Sequence, residues 1–86
     1  MTDSYSLVVK RSAERELRAL PKADLRRITD RIRGLADAPC PPGHEKLSSQ
    51  DHYRVRQGDY RVVYAIDDAH RVITIVKIGH RREVYR

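Results

Sequence analysis

Arg54 and Arg56 stand two residues apart, and Arg61 follows them across a Gly58-Asp59 pair. Alternate residues of an extended chain share a face, so Arg54 and Arg56 point the same way. Gly58-Asp59 puts glycine at the first central position, as a two-residue type II′ hairpin turn requires. Such a turn pairs Gln57 with Tyr60, Arg56 with Arg61, Val55 with Val62 and Arg54 with Val63, and it gathers three guanidiniums on one face. Like charges set directly opposite each other destabilise a sheet unless an anion or an acidic partner compensates them, so the grouping fits a receptor for phosphate or carboxylate. The same residues read equally well as a solvated polar face, apolar stems on the sheet and charged heads in water. Register decides between the two, because a loop with an odd number of residues would send Arg61 to the other face.

Downstream, Gly79-His80-Arg81-Arg82-Glu83-Val84-Tyr85-Arg86 adds an imidazole, three more guanidiniums and a tyrosine. These are groups suited to phosphoryl chemistry. Histidine exchanges a proton near neutral pH, arginine neutralises a phosphorane-like transition state, and tyrosine stacks on an unpaired base or donates a hydrogen bond. Each also has a plainer reading: a terminal basic run as a solvated tail, Tyr85 packed on the sheet, His80 as a surface residue.

The bulk composition narrows the partners. Eighteen Lys and Arg against twelve Asp and Glu give a formal charge of +6, which favours polyanions such as nucleic acid, or an acidic protein. Cys40 is alone and cannot form an internal disulfide, and the four histidines (His44, His52, His70, His80) show no pair at metal-ligand spacing, so neither a metal nor another cofactor is expected. No apolar run approaches the roughly 20 residues that span a bilayer, and Met1 to Val9 does not resemble a secretory signal; a cytoplasmic protein with no membrane partner is expected. A chain of 86 residues with 40% hydrophobic and 35% charged residues suits one globular domain over 1–86.

The elements that must carry these groups follow from periodicity. Tyr5 to Lys10 alternates as a first strand. Ser12 offers a helix N-cap, and Ala13, Leu17 and Leu20 fall at helical spacing up to Pro21, with Glu14 and Glu16 near the N-terminal end. Leu25, Ile28, Ile32 and Leu35 continue a second helix after that proline, completing an αα-hairpin. Asp37 to Gly43, with three of the four prolines, is a connector. His52 to Gln57, Tyr60 to Asp67 and Arg71 to His80 read as three antiparallel strands. The fold class is therefore α+β: an N-terminal strand, a helix hairpin and a three-strand antiparallel meander forming one sheet, with the helices on one face.

This order, with the segments YRVRQGDYRVVYAID and IVKIGHRREVYR, resembles the RelE family of toxin–antitoxin ribonucleases. The resemblance runs through almost the whole chain and is most specific over Tyr53 to Asp67 and Val76 to Arg86. It implies a RelE-like fold and a ribosome-dependent, metal-independent endoribonuclease. Such an enzyme cuts messenger RNA in the ribosomal A site by attack of the RNA's own 2′-hydroxyl, halts translation, and is held inactive by a cognate antitoxin, RelB-like or other. By position, the resemblance implies phosphate-binding and active-site roles for Arg54, Arg56, Arg61 and Arg81, and an aromatic role for Tyr85. Family members often carry lysine where this chain has Arg54 and Arg56. A guanidinium stays charged and is a poor proton acceptor, so His80, with Arg81, is the better candidate for proton transfer, and Glu45 a weaker one.

Two other functions fit the same pattern. A ParE-like toxin resembles the same fold but inhibits DNA gyrase; the sheet arginines and Tyr85 argue against it. A non-catalytic module would use the basic face to dock an acidic antitoxin segment and would reach operator DNA only through the antitoxin complex.

Overall fold

The computed structural model describes residues 4–41, 43–47 and 52–80. Arg81 and Tyr85 lie outside the described residues. The chain runs β1 (Ser6–Val9), α1 (Arg11–Arg18), α2 (Lys22–Asp37), β2 (Glu45–Lys46), β3 (His52–Gln57), β4 (Tyr60–Asp67) and β5 (Val72–His80). The strands form one sheet in the order β1-β5-β4-β3-β2.

The expected α+β architecture is present with two differences. The sheet is mixed, because β1 lies parallel to β5 while the β3–β4 and β4–β5 pairs are antiparallel. The helix hairpin supplies the crossover that a parallel pair needs. A fifth strand, β2, pairs antiparallel with β3 through Glu45↔Arg54 and Lys46↔Tyr53. Two residues just past the proline-rich connector are too few to show a period.

β1 passes into α1 without the cap expected at Ser12. Lys10 donates its N–H to the Ile75 carbonyl at 3.0 Å, the last bond from this segment to β5, and its own carbonyl accepts from Glu14 N at 2.8 Å, the first turn of the helix. α1 therefore begins at Arg11, one residue before Ser12. Pro21 precedes α2, where its missing N–H is no loss, and its carbonyl accepts from Leu25 N at 2.8 Å.

The core lies between the helices and one face of the sheet. Ala13, Ile28, Ile32 and Leu35 pack on Val55, Val62, Tyr64, Ile73, Ile75 and Ile78, with Leu17 and Leu20 partly buried beside them. Each fully buried Ile or Val contributes about 1.5–3 kcal/mol of apolar burial, and this face accounts for most of it. Tyr64 donates its hydroxyl to the Pro39 carbonyl at 2.6 Å and stacks on Tyr53, ring centroids 5.8 Å apart, which ties the connector to the sheet. Burial pushes the Tyr64 phenol up to about 12.

A register shift in β5 has the largest effect on the site. From the β4–β5 turn the ladder runs Asp67↔Val72 to Tyr64↔Ile75, then resumes as Val63↔Lys77. Val76 is the extra residue of a bulge, and it reverses the faces of everything after it. Ile78 joins Ile73 and Ile75 in the core because of it.

Candidate phosphate-binding face

The β3–β4 hairpin has the register its turn dictates: His52↔Ala65, Tyr53↔Tyr64, Arg54↔Val63, Val55↔Val62, Arg56↔Arg61 and Gln57↔Tyr60. Gly58 takes φ +61 in the turn, a conformation that costs a side-chain-bearing L-residue about 1–2 kcal/mol. Val55 and Val62 enter the core on one face, so Arg54, Arg56 and Arg61 share the other.

The three side chains differ in setting. Arg54 donates from Nε to Glu45 Oε1 at 3.1 Å and from Nη2 to the same oxygen, which the short strand β2 places directly across from it. Its side chain is 14% exposed while that of Glu45 is 59% exposed. Arg56 is exposed. Arg61 is 5% exposed and donates from Nη1 to the Tyr60 carbonyl at 3.4 Å. A guanidinium this deep needs hydrogen-bonding and charged company, so it works as a fixed cation and not as a swinging surface arginine.

Glu45 reports the field of the cluster. The hydrogen bond from Arg54, then its charge, hold the Glu45 carboxyl below the usual range, and the charges of Arg56 and Arg61 push the same way. One carboxylate thus sits among three guanidiniums on this face. A carboxylate held low is a weak proton acceptor, so Glu45 serves better as an anchor for Arg54 than as a base.

His80 is not brought to this face. It pairs with Tyr60, on the Val62 side, and their rings meet edge to face with centroids 5.9 Å apart. The residue across from Arg61 is Gly79, which offers no side chain. The bulge at Val76 is the cause, since an unshifted ladder would give His80 the face of Arg61. Lys77, across from Val63, does share the arginine face by register, and its ammonium bonds Glu16 Oε2 at 3.1 Å. The sequence marks Glu16 only as a carboxylate near the start of the first helix and does not mark Lys77 as a site residue; the three-residue step from Ile75 to Ile78 in an otherwise alternating run is the signal that places Lys77. The positions of Arg81 and Tyr85 relative to this face lie outside the described residues.

Among the described residues no group of three or more His, Cys, Asp or Glu side chains is disposed to hold a metal ion. Nor is any described helix long and apolar enough to cross a membrane. The arginine face can hold an oxyanion and spread its charge, and His52, two residues before Arg54 on β3, shares this face by register.

Comparison with known proteins gives a consistent result. The family described as "ParE toxin of type II toxin-antitoxin system, parDE" matches residues 7–85. Toxin RelE of Mycobacterium tuberculosis is 33% identical over 84 residues, covering 95% of this chain and 87% of that protein. A chain of the archaeal RelE–RelB complex from Pyrococcus horikoshii superposes with a TM-score of 0.82 at 33% identity, covering 91% of this chain and 96% of the other. A chain of the toxin–antitoxin complex RelBE2 from Mycobacterium tuberculosis gives a TM-score of 0.82 at 28% identity, covering 94% of each.

Proposed function

The chain belongs to the RelE-type toxins, within the ParE toxin family of type II toxin–antitoxin systems, and we propose that it is a ribosome-dependent endoribonuclease that cuts messenger RNA in the A site and so inhibits translation. The observation that carries the proposal is the Arg56↔Arg61 pair with Arg54 beside it on the sheet face away from the helices. Opposed guanidiniums are unfavourable in an empty sheet and favourable around a phosphate.

The chemistry is an internal displacement. The 2′-oxygen forms a bond to phosphorus, the bond from phosphorus to the 5′-oxygen breaks, and a 2′,3′-cyclic phosphate remains. A proton leaves the 2′-hydroxyl and another reaches the departing 5′-oxygen. Arg54, Arg56 and Arg61 hold the scissile phosphate and neutralise charge that grows on its equatorial oxygens, a role in which a single donor is worth about 10²–10³-fold in rate. Arg81 adds a fourth guanidinium and Tyr85 stacks on a base of the message. His80, the last residue of β5, keeps the proposed role in proton transfer, although its ring lies on the Tyr60 side of the sheet, opposite the arginines. A cognate antitoxin would silence the site most simply by laying carboxylates over the arginines, and operator DNA would be contacted only through that complex.

The test is to add the purified chain to programmed ribosomes and map new message ends by primer extension, with naked message and a gyrase supercoiling reaction in parallel. Ends inside the A-site codon, formed only on ribosomes, support the proposal. Inhibited gyrase with intact message assigns the gyrase-poisoning function of a ParE-like toxin, and activity in neither assay leaves an antitoxin-binding module. Within a cutting enzyme, His80→Gln that cleaves at the wild-type rate removes His80 from the reaction.

A further inference from the structure

β5 changes neighbours halfway along its length. Its pairing with β1 ends at Val9↔Ile75, the bulge at Val76 interrupts its ladder with β4, and from Lys77 onward no strand among the described residues flanks its outer edge. Of these last residues, Lys77 and Gly79 share the arginine face, Gly79 lying across from Arg61, while His80 lies across from Tyr60 on the other. A strand held from one side beyond a bulge is weakly specified in register, and a slip of one residue would exchange its two faces.

α1 covers that open edge with one side chain. Glu16 Oε1 accepts the Ile78 N–H at 2.8 Å, and Oε2 accepts from Lys77 Nζ at 3.1 Å. The carboxylate thus occupies the place a neighbouring strand's carbonyl would take, with its charge balanced by Lys77. We propose that Glu16 is a positioning residue for the arginine site: through the Ile78 amide it fixes the line of β5 past the bulge, and so sets Gly79 against Arg61. This rests on the ribonuclease reading above. Glu16 touches no substrate in this account and acts only through β5.

The distinction from a merely structural contact lies in which property moves. Displacing a catalytic group by about 1 Å costs up to about 10²-fold in rate, whereas the core of Ile28, Leu35, Val62 and Ile73 does not involve Glu16. Two variants in the full chain separate the cases: Glu16→Ala and Glu16→Gln. For Glu16→Ala the maximal cleavage rate on programmed ribosomes should fall at least about tenfold, with the half-saturating ribosome concentration changed less than about twofold. Amide exchange at Ile78 and Gly79 should quicken at least about tenfold while Val62 stays protected. Glu16→Gln, whose side-chain carbonyl still accepts from Ile78 N–H, should recover most of the rate. Equal losses in the Ala and Gln variants, a wild-type rate in Glu16→Ala, or unchanged exchange at Ile78 would each overturn the inference. A wild-type protein that cuts no message would sink the ribonuclease reading instead, and the exchange result would stand apart from it.

Discussion

Replacing Arg56 with Gln should make this protein more stable while making it a worse toxin. Arg56 and Arg61 are direct cross-strand partners, so their Cβ atoms stand about 5 Å apart, with Arg54 on the same face. Two unit charges about 6 Å apart repel by about 0.7 kcal/mol in water and about 3 kcal/mol at an effective dielectric of about 20. Glu45 offsets part of this, because its carboxylate feels both Arg54 and Arg56. A net gain of about 0.5–1 kcal/mol remains after that offset, within the range for opposed like charges in sheets. For a chain of this size it corresponds to a rise in melting temperature of about 2–8 °C. The assay is thermal unfolding followed by circular dichroism at about 10 mM ionic strength, where the Debye length is about 30 Å, and again in 1 M sodium chloride, where it is about 3 Å. The gain should appear at low salt and shrink at high salt. Arg27→Gln, an equal charge change at an exposed position of α2, controls for the overall charge of +6 and should shift the midpoint far less. Inorganic phosphate at low ionic strength should raise the midpoint of the wild type more than that of Arg56→Gln, because ligand binding stabilises the folded state by mass action. A variant no more stable than wild type at low salt, or a gain that persists in 1 M salt, would refute the reasoning.

Other consequences are equally direct. Glu45 has a carboxyl lowered by Arg54 from its ordinary 4.5, so its contribution to stability is present above that pH and disappears as pH falls towards the lowered value; urea unfolding of wild type and Glu45→Gln should differ at neutral pH and converge in acid. Tyr64, pushed up to about 12 by burial, favours the folded state below pH about 10 and loses that advantage between about 10 and 12. Tyr64→Phe leaves the Pro39 carbonyl without its donor and should cost about 1–2 kcal/mol at pH 7, with the gap to wild type closing in alkali as read by denaturant melts. Gly58→Ala forces a methyl into φ +61 and should cost about 1–2 kcal/mol by the same melts, without altering the ribosome dependence of any cleavage.

The parts of the fold set by local chemistry were legible in the residues. Gly58-Asp59 fixes a two-residue turn, and a two-residue turn fixes every pair of the hairpin, so the shared face of Arg54, Arg56 and Arg61 follows from sequence and alternation alone. The apolar steps Ile28, Ile32 and Leu35 likewise mark the buried side of α2. What escaped depends on contacts distant in the chain. The parallel partner of β1 is some sixty residues away, and the two-residue β2 exists only because β3 offers it an edge. Glu45, two residues past the proline-rich connector, carries no local sign that it will meet Arg54. His80 is the instructive case: simple alternation from the β4–β5 turn gives it the face of Arg61, whereas the bulge at Val76 gives it the side of Tyr60. The step from Ile75 to Ile78 encodes that bulge, since only a change of face at Val76 lets Ile73, Ile75 and Ile78 all be buried.

The central claim is that the sheet arginines hold the scissile phosphate of a message. Single-turnover cleavage of A-site message on programmed ribosomes by wild type, Arg56→Gln and Arg61→Met, each checked for a folded circular dichroism spectrum, tests it most directly. Rates should fall about 10²-fold or more for Arg61→Met and by a smaller factor for Arg56→Gln, with ribosome binding retained. Folded variants that cut at the wild-type rate would contradict it.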